Sequence, residues 1–168
     1  MLSRRQDAHG RCFSPVAKLE IDLKLAAADS TLIFAFSFAR TLSEVLMSPE
    51  FPGWLAPITA DPLRLSTTMN FAGGWAAAWA VACLYLDTFA AGVDDDSMRR
   101  IGPLGAVKSF ALAVTLLGGA AFTAQELCSP ALAPPFLRLT LENVSASLGI
   151  GLALIAWREL VAPYTRYW

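Results

Sequence analysis

FAGGWAAAWAVACLYL, running from Phe71 to Leu86, contains no charged residue, and it decides how the rest of the chain is read. A helix needs about 20 mostly apolar residues to cross hydrocarbon about 30 Å thick, at about 1.5 Å of rise per residue. Extended to about 69–91 this stretch has that length, and three others match or approach it at about 21–47, 103–127 and 141–161. With 55% hydrophobic and 16% charged residues, the 168-residue chain is far more apolar than a soluble domain of its size needs. The expected fold is therefore all-α: a polytopic membrane protein with a bundle of four transmembrane helices. Residues 1–21 form a polar N-terminal tail and residues 22–168 the transmembrane domain. Asp29, Arg40 and Glu44 interrupt the first span, so an amphipathic surface helix is its competing reading.

The connections agree with this division. Ser48 to Thr68 carries Pro49, Pro52, Pro57 and Pro62, and Ser129 to Thr140 carries Pro130, Pro134 and Pro135. Both predict irregular loops outside the membrane. Gly92 to Gly102, with Asp94, Asp95, Asp96, Arg99 and Arg100, predicts a solvated turn. Arg4, Arg5, Arg11, Lys18 and Lys24 precede span one, Arg158 and Arg166 close the chain, and the proline loops carry only Arg64 and Arg138. The positive-inside tendency then puts both termini and the Asp-rich turn on the synthesis side. Trp157, Tyr164, Tyr167 and Trp168 read as anchors at the end of span four.

Glu44-Val-Leu-Met-Ser-Pro49 and Glu126-Leu-Cys-Ser-Pro130 close spans one and three, while Leu63-Arg-Leu-Ser66 and Leu137-Arg-Leu-Thr140 lead into spans two and four. Two parallel helical-hairpin repeats would give this pattern, and so would chance in apolar sequence.

Several function classes drop out early. A net charge of −1 with scattered basic residues gives no footprint for nucleic acid. Cys12, Cys83 and Cys128 form no CxxC pair, and the lone histidine, His9, lies outside every span. Neither zinc nor haem is expected. No nucleophile, phosphate-loop or metalloprotease motif is present, and the chain is not expected to be an enzyme.

Intramembrane charges are the sharper signal, because each costs about 2.5–3.5 kcal/mol at a helix centre unless paired. Asp29 and Arg40 are eleven residues apart, sharing a face of span one without touching. Arg40 and Glu44 are spaced to pair locally, and Lys108 and Arg158 are candidate partners for Asp29 from other spans. The group Asp29, Arg40, Glu44, Lys108 and Arg158 is either a structural charge cluster or an anion or proton path. Asn70, Gln125, Glu142 and Asn143 offer hard oxygen atoms to a chlorophyll magnesium, or else act as helix caps and interhelical hydrogen bonds. Small residues, among them Gly73, Gly74, Gly118, Gly119, Gly149 and Gly151, either let helices approach closely or clear room for a pigment or lipid.

Ala28-Asp29-Ser-Thr-Leu-Ile-Phe-Ala-Phe-Ser-Phe-Ala-Arg40, Asn70-Phe-Ala-Gly-Gly-Trp75, Ala106-Val-Lys108-Ser-Phe-Ala-Leu-Ala-Val and Ala156-Trp157-Arg158 together resemble an uncharacterised four-helix membrane family. That family, a domain of unknown function, has bacterial and plastid members. The resemblance covers about Asp22 to Leu160 and departs at Ala39, Phe110 and Ala121-Phe122-Thr123. It implies a fold and a location, not a reaction. With the Arg- and Ser-bearing N-terminal stretch it suggests a plastid thylakoid, both termini stromal. The expected role is a non-catalytic accessory subunit of a photosystem I and light-harvesting supercomplex. Its expected partners are other membrane subunits and lipids, with chlorophyll or carotenoid as candidate cofactors at its interfaces. A small transporter or channel is one alternative, and a supernumerary subunit of a respiratory complex in the mitochondrial inner membrane is another.

Overall fold

A computed structural model describes residues 22–47, 62–89, 101–127 and 140–161. Among them the architecture is all-α, with four helices: α1 (Leu23–Leu46), α2 (Pro62–Tyr85), α3 (Pro103–Leu127) and α4 (Leu141–Val161). The polar tail and most of both proline loops lie outside the described residues. Neighbours in sequence pack together, and α1 also packs on α4, so the four close into an up-down-up-down ring.

Local chemistry sets the helix ends. Asp22 caps α1, its Oδ1 accepting from the Lys24 and Leu25 backbone N–H groups at 3.0 Å each. Its own N–H donates to the Phe89 carbonyl at 2.8 Å, tying the start of α1 to the turn after α2. α2 differs from its sequence reading at both ends. It begins at Pro62, inside the stretch expected to be a loop, because a proline's fixed φ and missing N–H suit the first helical position. It also stops at Tyr85, short of the expected 91. Asp87 there adopts a left-handed φ of 53°, and the Thr88 and Asp87 N–H groups turn back to the Cys83 and Leu84 carbonyls at 2.9 and 3.4 Å. This is a Schellman cap, which reverses the chain within three residues.

The core is thin and dominated by α2, where Ala72, Trp75, Ala78, Trp79, Ala82 and Cys83 face inward with Ile33, Ala113, Ile150 and Leu154. Alanines let the helices close up around the two indoles. Gly149 and Gly151 do the same on α4, since a methyl at either would overlap the ring of Phe36 from α1 or of Phe110 from α3. Phenyl rings therefore fill the space at these two glycines. Around Gly73, Gly118 and Gly119 nothing lies within 4 Å of a built methyl.

Two of these helices, α1 over Leu23–Leu46 and α3 over Pro103–Glu126, are long and apolar enough to cross a membrane, with mean hydropathies of 1.2 and 1.6. In α2 the uncharged run that starts at Phe71, which looked clearest in the sequence, is more than half alanine, glycine and tryptophan, which are only weakly apolar side by side.

Candidate functional site

α1 buries one stripe at four-residue steps: Leu25, Asp29, Ile33 and Ser37. A carboxylate is thereby carried into the interior, where Asp29 has 0% of its surface exposed. Such a group must be met by donors. Arg158, near the C-terminus of α4 and equally enclosed, places Nη2 2.6 Å and Nε 3.1 Å from Asp29 Oδ2. Trp79 Nε1 of α2 donates to the same oxygen at 2.8 Å.

The remaining guanidinium nitrogen, Nη1, donates to the carbonyls of Thr88 at 3.0 Å and Ile101 at 3.2 Å. Thr88 presents its carbonyl inward because the Schellman cap has turned the chain there. Its hydroxyl lies 3.0 Å from that of Ser109 on α3. Aromatic rings close the faces, with the guanidinium carbon 5.3 Å from the Phe89 ring centroid and 6.0 Å from that of Trp79. α1, α2, α4 and the segments that follow α2 and precede α3 therefore meet at one charge-assisted clamp at one end of the bundle. Two atoms stay unmatched: among the described residues, Asp29 Oδ1 and Trp157 Nε1 are buried without a hydrogen-bond partner.

Of the five charged residues singled out in the sequence, the structure joins Asp29 to Arg158. It leaves Arg40 and Glu44 as a separate pair further along α1, with Nε and Oε1 at 2.7 Å. Lys108 joins neither and is exposed. α3 buries Ala106, Ser109 and Ala113, and a residue next to Ser109 is turned about 100° away from that face. Arg40 and Glu44 are 27% and 54% exposed in their side chains, and exposed pairs at this spacing are worth about 0.3–0.5 kcal/mol. Arg40→Gln is accordingly expected to leave the unfolding midpoint of the purified protein within about 1–2 °C of the parent; a larger drop would show a role beyond this pair.

Asn70, Gln125 and Glu142 are exposed and Asn143 is half-buried. Glu142 and Asn143 line a cavity of about 160 Å³ with Arg40 and Glu44, and Asn70 and Gln125 do not. Trp157, read as an interfacial anchor, has its ring nitrogen enclosed instead. Tyr164, Tyr167 and Trp168 lie outside the described residues.

The sequence reading missed Trp79, Thr88, Phe89 and Ile101. A signal for Trp79 was present: it lies as far from the end of α2 as Asp29 lies from the start of α1, so the two share a depth in an antiparallel pair. Thr88 and Ile101 act through backbone carbonyls, which leave no signature in side-chain pattern. Among the described residues no group of three or more His, Cys, Asp or Glu is placed to hold a metal ion. Comparisons with family models, curated proteins and solved structures found no match.

Proposed function

We propose that all four helices cross a bilayer and that the chain is a non-catalytic accessory subunit of a larger membrane assembly. One observation carries the membrane part: polarity is arranged inside out. The Asp29–Arg158 pair is sealed within the bundle, while Phe122, Leu152, Leu148, Leu104, Val81 and Leu160 face outward, each more than half exposed. In water such surfaces would associate; in lipid they are solvated. Only 22% of the apolar window of α1 and 28% of that of α3 are buried within the protein, whereas the core helix of a soluble protein is mostly covered. Hydroxyls facing outward fit the same solvent, since Thr31, Ser43, Thr115 and Thr123 each donate to the carbonyl four residues back at 2.7–2.9 Å.

For the assembly, we propose a photosystem I and light-harvesting supercomplex of the thylakoid, both termini stromal. This rests on the family resemblance in the sequence and on the broad apolar flanks left for neighbours. Pigment at those flanks would find Asn70 and Gln125 as hard oxygen ligands at exposed positions. The clamp itself weighs toward a structural part for Asp29 and Arg158, because each nitrogen of the guanidinium side chain already has an acceptor.

Alkaline carbonate should leave the chain in the membrane pellet, and purified photosystem I–antenna particles should contain it together with chlorophyll absorbance. A chain stripped into the supernatant rejects the membrane reading. A chain that pellets yet is absent from those particles rejects the photosystem reading, and recovery in pigment-free respiratory particles would favour the mitochondrial alternative.

A further inference from the structure

We propose that the cavity at the end of the bundle away from the clamp binds the uncharged, hydroxyl-rich headgroup of one glycosyl lipid. The proposal rests on the membrane reading above. The cavity lies where α1 ends and α2 and α4 begin, so in a bilayer it opens at headgroup depth. Its floor is Ser37, Thr68 and Ala146, all buried, and the two hydroxyls there are engaged, Ser37 with the Ile33 carbonyl and Thr68 with Thr41 and the Arg64 carbonyl. Phe36 and Phe71 form apolar walls, and Arg40, Glu44 and Glu142 stand at the mouth.

The charges select the ligand class. One guanidinium against two carboxylates repels a phosphate or sulfate headgroup, and the guanidinium already shares one nitrogen with Glu44. Among the described residues the other two Arg40 nitrogens and the Glu142 carboxylate have no protein partner. A compact cation would gain from Glu142 but would meet Arg40 across the same mouth. A neutral ring with adjacent hydroxyls suits every group present: it donates to the carboxylates, accepts from the guanidinium fork, and lays its C–H face on a phenyl ring. The volume of about 160 Å³ equals the liquid share of about five waters, enough for most of one hexose, with acyl chains left against the apolar outside of α1 and α4.

The test is thermal unfolding of the full chain in mild detergent with added monogalactosyl diacylglycerol, phosphatidylglycerol, phosphatidylcholine or methyl β-galactoside, each alone. The glycosyl lipid at about 100 times its dissociation constant should raise the midpoint by about 5–10 °C, the two phospholipids should not, and Glu142→Ala, which removes the acceptor, should cut the rise to half or less. Glu142 is exposed on the first turn of α4, so the variant is expected to fold; should it not, selectivity among the three lipids still decides. Equal shifts from all three lipids, no shift from the glycosyl lipid, or a shift left undiminished by Glu142→Ala overturns the site. An equal shift from the free glycoside overturns the lipid as its source. A chain held in carbonate-washed membranes but blind to glycosyl lipid fails this proposal alone; a chain stripped by carbonate fails the membrane reading beneath it.

Discussion

Arg158→Met is expected to destabilise the bundle by about 3–5 kcal/mol, the usual cost of leaving one member of a buried ion pair without the other. Three separate losses combine. Asp29 loses both guanidinium hydrogen bonds and keeps the Trp79 indole as donor to a carboxylate with no exposed surface. The Thr88 and Ile101 carbonyls lose the Nη1 donor, and the link from α4 to both α1 and the turn after α2 is cut. Asp29→Asn should cost less, because the guanidinium retains both carbonyls and an amide oxygen. Arg158→Lys should rescue little, since an ammonium on a flexible stem cannot span Oδ2 and two carbonyls as the planar fork does. The informative variant is the pair Asp29→Leu with Arg158→Met, which removes both charges and refills the site. It should recover much of the loss. The measurement is denaturant or thermal unfolding of the detergent-solubilised protein, and a paired variant no better than Arg158→Met alone would show that charge matching is not what holds this end of the bundle.

Gly151→Val should lower stability by about 1–3 kcal/mol through overpacking, possible relief being blocked on both sides. The added methyls would enter the space of the Phe110 ring, and that ring is stacked on Trp75 at 5.7 Å between centroids and 12° between planes. Trp75 in turn donates to Ser147 of α4 at 3.2 Å, so a displaced Phe110 disturbs contacts among three helices. Gly119→Ala is the internal control: it sits on the exposed side of α3 with open space around it, and replacing glycine within a helix favours folding by up to about 1 kcal/mol. A Gly151→Val protein as stable as its parent, by the same unfolding measurement, would mean that α4 is not held at this distance from α3.

The bounds of α3 and α4 match the sequence reading because their ends carry ordinary signals: Pro103 opens one, and Thr140 before the other caps it, its hydroxyl accepting from Asn143 N–H at 3.2 Å. Span two is misjudged at both ends for a local reason. Pro62 reads as a breaker unless it is known to occupy the first turn, and the left-handed turn at Asp87 is made by a residue other than glycine. Arg158 was already a candidate partner for Asp29, but Lys108 stood equally with it. Choosing between them requires the rotation of α3 about its own axis, which depends on what Ser109 and Ala113 touch.

Length, apolarity and the run of charges along the chain by themselves determined the four long helices found among the described residues and one acid that had to find a base. Those properties are local, being fixed by helix rise and by side-chain solvation. Which base it found, that an indole and two backbone carbonyls complete the set, and that Arg40 with Glu44 belongs to a separate cavity were decided only by the packed bundle. Such contacts join residues 50 to 129 positions apart, and their geometry exists only once the helices have set one another's rotation and depth.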